Sequence, residues 1–279
     1  MVSLIKALIN ISGCKNNNLF QHYKSKIRAN QMGEGLEYFI EDSFCAIPGT
    51  LTDKERASKH SEIFSYLGNQ NNPPDAIIKG SDAIEIKKLE GLTASHIALN
   101  SSYPKAKLYS DSPMITKACQ DCEKDWKEKD IIYAVGNVVG VELKLLVFLY
   151  GDCYAASKEV YEKVANAIKS GIITTNLELD KKTKELGRVN KVDPLGITYL
   201  RIRGMWGIKA PAKLFEKEIG NLSNDFTVAV IMRETKYNSF SEKERDEIEK
   251  SKFEIENTKI KDPDNPAKLL DAKVLVYRR

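Results

Sequence analysis

Pro74-Asp75-Ala76-Ile77-Ile78-Lys79-Gly80-Ser81-Asp82-Ala83-Ile84-Glu85-Ile86-Lys87 is the stretch on which the fold turns. On a strand, Glu85 and Lys87 point to one face while Ile84 and Ile86 point to the other. If the loop Lys79-Gly80-Ser81 joins two antiparallel strands, position 78 pairs with 82, 76 with 84, and Asp75 with Glu85. Directly opposed residues hold their Cβ atoms about 4.5–5.5 Å apart. Two carboxylates at that distance repel unless a cation sits between them, and an oxygen-only, carboxylate-rich site suits Mg²⁺. Lys87, on the same face, is placed to position a water or to offset charge building up on a phosphate. The bland alternative is Asp75 capping a turn and Glu85–Lys87 lying on a solvated strand face. The short pattern recurs at Asp125-Trp126-Lys127, Glu142-Leu143-Lys144 and Asp180-Lys181-Lys182. Pro263-Asp264 with Asp271-Ala272-Lys273 is a further formal match, set aside because Asn265–Leu270 reads as a helical turn and not as a hairpin arm.

Upstream, residues 1–70 read as helical. Met32, Leu36, Phe39, Ile40, Ser43, Phe44 and Ile47 follow a 3.6-residue period that Pro48-Gly49 ends. Glu37 lies about 90° from the centre of that stripe, at the border of the buried face, whereas Glu34 and Glu41 lie further round toward solvent. Thr52 and Glu55 form a capping box for a helix expected to run to Leu67, with Gly68 as its terminator. Asn69 to Pro74 reads as a polar loop. Downstream come a polar stretch from Ser95 to Asp111, a helix over Pro113–Lys129, strands Ile131–Val139 and Val141–Tyr150, and a helix over Ala155–Lys169. Beyond Gly171, Ile197–Ile202, Phe226–Met232 and Lys273–Tyr277 read as strands, and Ser241–Lys252 as a charged helix capped by Ser241 and Glu244. With no repeat and no long linker, residues 1–279 read as one mixed α/β domain. It has a helical part (1–70), a core (71–170) and a C-terminal part (171–279).

Composition bounds the class. The chain has 279 residues, is 42% hydrophobic and carries a net charge of +4, which excludes a highly cationic chromatin-like chain without excluding sequence-specific DNA binding. The apolar run Leu145–Tyr150 is too short to span a membrane. Met1–Ile11 is amphipathic but lacks a small-residue cleavage site. Five cysteines at scattered spacing fit a reducing cytoplasm, so the expectation is a soluble cytoplasmic protein. Cys119-x-x-Cys122 lacks the second pair of a zinc site. His22, His60 and His96 lack a nucleophile partner, and Gly33-Glu34-Gly35 lacks the strand of a dinucleotide fold.

An acidic helix, Pro-Asp, a spacer and Glu-x-Lys on consecutive strands resemble the PD-(D/E)xK nuclease superfamily. Longer stretches are similar to one group within it, the NgoPII-type restriction endonucleases. They are Phe64–Lys88, Leu99–Leu108, Thr116–Tyr133 and Thr183–Ile208. The C-terminal seventy or so residues match less well. The resemblance implies an αβββαβ core with a mixed central sheet flanked by helices, plus N-terminal helices and a C-terminal lobe. It also implies a Mg²⁺-dependent type II restriction enzyme cutting double-stranded DNA at a short GC palindrome, expected to be GGCC. A palindrome calls for a homodimer, and such a system contains a cognate DNA methyltransferase with which no stable complex is expected. By motif, Asp75, Glu85 and the main chain at Ile86 would bind metal, Lys87 would assist the attacking water, and Glu37 would be an auxiliary acid.

From Gly187 to Lys213, Arg188, Lys191, Arg201, Arg203, Lys209 and Lys213 stand against Asp193 alone. Tyr199, Arg201 and Arg203 alternate onto one strand face, and arginine is the usual bidentate reader of guanine O6 and N7. Phosphate anchoring is the other role open to these arginines. Trp206 reads as packing. Ser101, Ser102, Tyr103, Lys105 and Lys107, just after the catalytic strand, are better placed for backbone phosphates. A structure-specific repair or recombination nuclease and a catalytically silent DNA-binding protein remain the alternatives. The silent protein has no use for two uncompensated carboxylates beside a polyanion.

Overall fold

The computed structural model describes residues 2–23, 32–69, 72–100, 102–180, 183 and 185–279. The N-terminal part holds α1 (Leu4–Gly13), α2 (Leu19–Tyr23), α3 (Met32–Cys45) and α4 (Asp53–Ile63). Leu4, Ile5, Leu8 and Ile11 bury the inner side of α1, and Leu36, Phe39, Ile40 and Phe44 do the same for α3. The Thr52–Glu55 capping box opens α4 as expected. That helix ends at Ile63 instead of Leu67, and the chain passes into β1 (Phe64–Asn69). Phe64 and Tyr66 alternate inward there, with the Phe64 ring edge-on to Phe44 and His60. Gly68 is not a helix stop. A Cβ there would collide with the Pro74 carbonyl, so the glycine serves the close approach of β2 (Asn72–Ile78). Most of the expected loop Asn69–Pro74 is therefore strand.

The core continues with β3 (Ala83–Glu90), β4 (His96–Asn100), β5 (Lys107–Tyr109), α5 (Lys117–Gln120), β6 (Glu128–Val139), β7 (Glu142–Tyr150) and α6 (Lys158–Ile173). Two expectations fail here. The polar stretch after Ser95 contains β4 and β5, because Ile97 and Leu99 alternate into the interior. The helix expected over Pro113–Lys129 shrinks to α5. Thr116 caps it at Cys119 N, the Trp126 indole takes the Gln120 carbonyl, and Asp125 sits at φ 56°, outside helical space. The C-terminal part holds β8 (Gly187–Val189), β9 (Leu200–Ile202), β10 (Met205–Lys209), α7 (Pro211–Leu214), α8 (Glu216–Ile219), β11 (Thr227–Arg233), α9 (Glu234–Ser239), α10 (Glu242–Glu249), β12 (Glu254–Lys261) and β13 (Leu269–Arg278). The strand expected from Ile197 is confined to β9. The Asp193 carboxylate accepts from the amides of Leu195, Ile197 and Thr198 and folds them into a loop.

A nine-stranded mixed sheet organises the described residues, in the order β1-β2-β3-β6-β7-β11-β13-β12, with β5 pairing to β6 off that line. β3 with β6 and β7 with β11 are parallel; the other pairs in this sheet are antiparallel. Its central strands are apolar almost throughout, as strands covered on both faces must be: Ile131–Val138, Leu145–Tyr150 and Thr227–Met232 are buried, with Asn137 and Thr227 the polar members. Helix α3 packs on β3 and β6, and Gly136 has no side chain where Leu36 of α3 comes down. The expected class, mixed α/β with a mixed central sheet flanked by helices, is the one observed. β12 and β13 form a hairpin at its far edge, with residues 265–268 in the turn as expected, Leu269 and Leu270 already on the second arm with Asp271–Lys273, and Pro263-Asp264 in the loop and not on a strand. There Asp271 pairs with Lys259 at 2.8 Å, while Asp264 caps Ser157. A separate ribbon joins β4 to β10, from Asn100↔Met205 to His96↔Lys209.

Candidate active site

The hairpin carrying Asp75 and Glu85 has the register that the spacing requires. Ala76 pairs with Ile84 and Ile77 with Ala83, and Ile78 N donates to Asp82 O at 3.0 Å. Gly80, at φ 65°, allows the turn. Beyond Ala76 and Ile84 the strands part, and Asp75 is not paired with Glu85 residue to residue. Instead the Asp75 carboxylate accepts the Ile86 amide at 2.5 Å, so a side chain takes the place of a ladder carbonyl. Lys87 Nζ then lies 2.7 Å from Glu85 Oε1, 3.0 Å from the Ile86 carbonyl oxygen and 4.0 Å from Asp75 Oδ2. The second carboxylate oxygen of Glu85 is buried with no hydrogen-bond partner. Burial, and then the charge of Glu85, push the Asp75 carboxyl up to about 7. Lys87 is drawn down by burial but raised on balance by Glu85 and Asp75, so it stays charged.

Helix α3 supplies more acid than the sequence suggested. Glu37 is half-buried; burial raises its pKa and the Lys87 charge opposes the rise, which puts it within electrostatic reach of the lysine. Glu41 does not face solvent. Its side chain is 13% exposed and lies 3.5 Å from His60 Nδ1. Burial, then Glu37, Asp42 and Asp75, push it up to about 8. Beside it, fully buried Asp42 accepts from Arg56 Nε at 2.9 Å, from the Tyr23 hydroxyl at 3.1 Å and pairs with His60 Nε2 at 2.9 Å. This network clamps α4 to α3 and gives His60 a structural task.

Lys105 is no surface anchor. It is 8% exposed, with its ammonium on Ser102 Oγ and on the Tyr103 carbonyl at 3.3 Å. Its amide donates to Tyr133 Oη at 2.6 Å, and Tyr133 is the register neighbour of Glu85. Burial lowers the Lys105 amine to about 8, against an upward pull from Glu85. Lys107 is paired with Asp130 at 3.1 Å and Glu128 at 3.3 Å. Tyr103 stacks on Tyr161 at 5.2 Å, and Trp206 meets both rings edge-on, so Trp206 is packing as expected. Ser101 lies outside the described residues. Arg188 Nε donates to Asn190 Oδ1 at 2.9 Å, and Lys191 is exposed. Arg201 and Arg203 project together from the exposed arm, both bonded to Glu185, a residue that the sequence did not single out.

Two carboxylates, one of which (Glu85) buries an unpartnered oxygen, and a main-chain carbonyl form an all-oxygen donor set that fits a hard divalent cation. Among the described residues no group of three or more His, Cys, Asp or Glu is already gathered as a metal cage. No described helix is long and apolar enough to cross a membrane.

The model of the NgoPII restriction endonuclease family matches residues 2–262. The chain is 45% identical to the type II restriction enzyme NgoPII of Neisseria gonorrhoeae over 279 residues, 99% of each chain. No solved structure matches.

Proposed function

The chain belongs to the NgoPII restriction endonuclease family, and from that premise we propose a type II enzyme that hydrolyses double-stranded DNA at GGCC with Mg²⁺. The proposal takes residues 1–279 as one nuclease domain acting as a homodimer on a two-fold site. A cognate methyltransferase protects the same site without forming a stable complex. The observation that carries the catalytic assignment is the parted hairpin, where Asp75, Glu85 and the Ile86 carbonyl converge around the Lys87 ammonium.

Asp75, Glu85 and the Ile86 carbonyl would hold the cation. When bound, it supplies the positive charge that offsets two acids beside a phosphate and makes water a competent nucleophile. The chain's own residues do the rest. Asp75, fixed by the Ile86 amide, holds the two strand ends apart and keeps the acids on one face. Lys87 remains protonated at neutral pH, so it serves as a fixed donor that orients a water and screens charge on the phosphate. Glu37 completes the acidic rim from α3. Phosphate contacts are assigned to the basic arm, and base contacts to Arg201 and Arg203. Incubating the protein with plasmid DNA and Mg²⁺ and sequencing the ends tests this directly. Discrete ends at one GC palindrome, absent in EDTA, are expected. Scattered or structure-dependent nicks would replace the proposal with a repair nuclease, and intact DNA with a gel shift would replace it with a binding protein.

A further inference from the structure

We infer that Glu185 is a specificity-determining positioning residue that braces Arg201 and Arg203 into one guanine-reading unit, an inference that rests on the function proposed above. The Glu185 carboxylate accepts from Arg201 Nε with both oxygens at 3.0 Å, and from Arg201 Nη2 at 2.5 Å. Arg203 Nε donates to the same Oε1 at 3.0 Å. The Glu185 side chain is only 14% exposed, while those of Arg201 and Arg203 are 40% and 63% exposed. The carboxylate therefore sits behind the arginines and the guanidinium groups in front. Every one of these bonds engages the Nε flank of a guanidinium, so each keeps its terminal Nη edge for two further acceptors. That edge, held in plane, is what guanine O6 and N7 require.

The brace also answers an electrostatic problem. In the β8–β9 pair Arg188 stands directly opposite Arg201, and like charges across a strand pair repel. One carboxylate shared between Arg201 and Arg203 lets three arginines crowd one short ribbon and still leaves that pair net positive toward DNA. An unbraced arginine on an exposed strand must freeze its side-chain torsions on docking, whereas a braced one has already done so. Adjacent guanines in a GC palindrome fit two guanidinium edges fixed by a common anchor.

The test compares Glu185→Gln and Glu185→Ala with the unaltered protein on a duplex carrying the site mapped from plasmid ends. Companion duplexes carry one altered base pair, or one 7-deazaguanine, which lacks the N7 acceptor. The unaltered protein should slow on both kinds of companion. E185A should lose about tenfold or more of this discrimination, with nonspecific binding at low salt and Tm retained. E185Q keeps an acceptor and should fall between. If E185A lowers Tm, E185Q, which preserves the shape, carries the comparison. Full discrimination by a folded variant overturns the inference, as does faster cognate cleavage with discrimination intact, which would make Glu185 a lock. If the unaltered protein yields no discrete ends, the function proposal fails first and takes the brace with it.

Discussion

Glu85 presents one oxygen to Lys87 and buries the other without a partner, at a real cost in desolvation. The proposed cation would give that oxygen its partner. Glu85→Ala should leave no detectable cleavage while a gel shift on cognate duplex persists; residual cutting would place the catalytic centre elsewhere. Glu41 makes a different claim, about stability. Its folded pKa of about 8 exceeds the usual carboxylate value, so the folded protein holds a proton that the unfolded chain releases. The stabilising effect of that proton is complete at pH below the ordinary carboxylate range and is lost as pH rises to about 8. Urea denaturation without divalent ions should show the unaltered protein losing roughly 2–4 kcal/mol between pH 4.5 and 8 relative to Glu41→Gln. Parallel profiles would mean that Glu41 is solvated.

Among the elements, α3 and α4 are joined by charge as much as by apolar contact. Removing Asp42 leaves buried Arg56 with Asp53 and the Leu51 carbonyl as hydrogen-bond acceptors and the Tyr23 and Tyr38 rings beside it. Asp42→Ala should cost about 3–5 kcal/mol in chemical denaturation; a loss under 1 kcal/mol would mean that the network relaxes onto water. The same elements show what a sequence makes legible. The Thr52 and Ser241 capping boxes are local chemistry and stand where their residues predict. The 76↔84 register follows from a three-residue loop, so the hairpin was legible too. The parting at Asp75 was not, because it depends on a side chain bonding to an amide. Gly68 carried a misleading signal, since a glycine that ends a helix and one that admits a neighbouring strand look alike in one dimension. Glu41 and Lys105 were misplaced for a related reason. Angular position on a helix or in a loop does not say which other element will cover it.

Across the whole molecule, positive charge is concentrated on the arm from Gly187 to Lys213, where six basic residues face one acid. Nonspecific DNA binding should therefore weaken steeply with salt, and Lys191→Ala should reduce the slope of log K against log salt by about 1. An unchanged slope, measured by fluorescence anisotropy on noncognate duplex, would remove Lys191 from the interface. The arm's attachment has a consequence of its own. Only Arg203 and Gly204 separate β9 from β10, β10 is zipped to β4, and residues 91–95 are all that lie between β4 and β3. Under the proposed roles, the base-reading arm and the catalytic strand are ends of one short mechanical linkage. Under that reading, an altered base pair that keeps the arm from seating strains a ribbon separated from β3 by residues 91–95 alone.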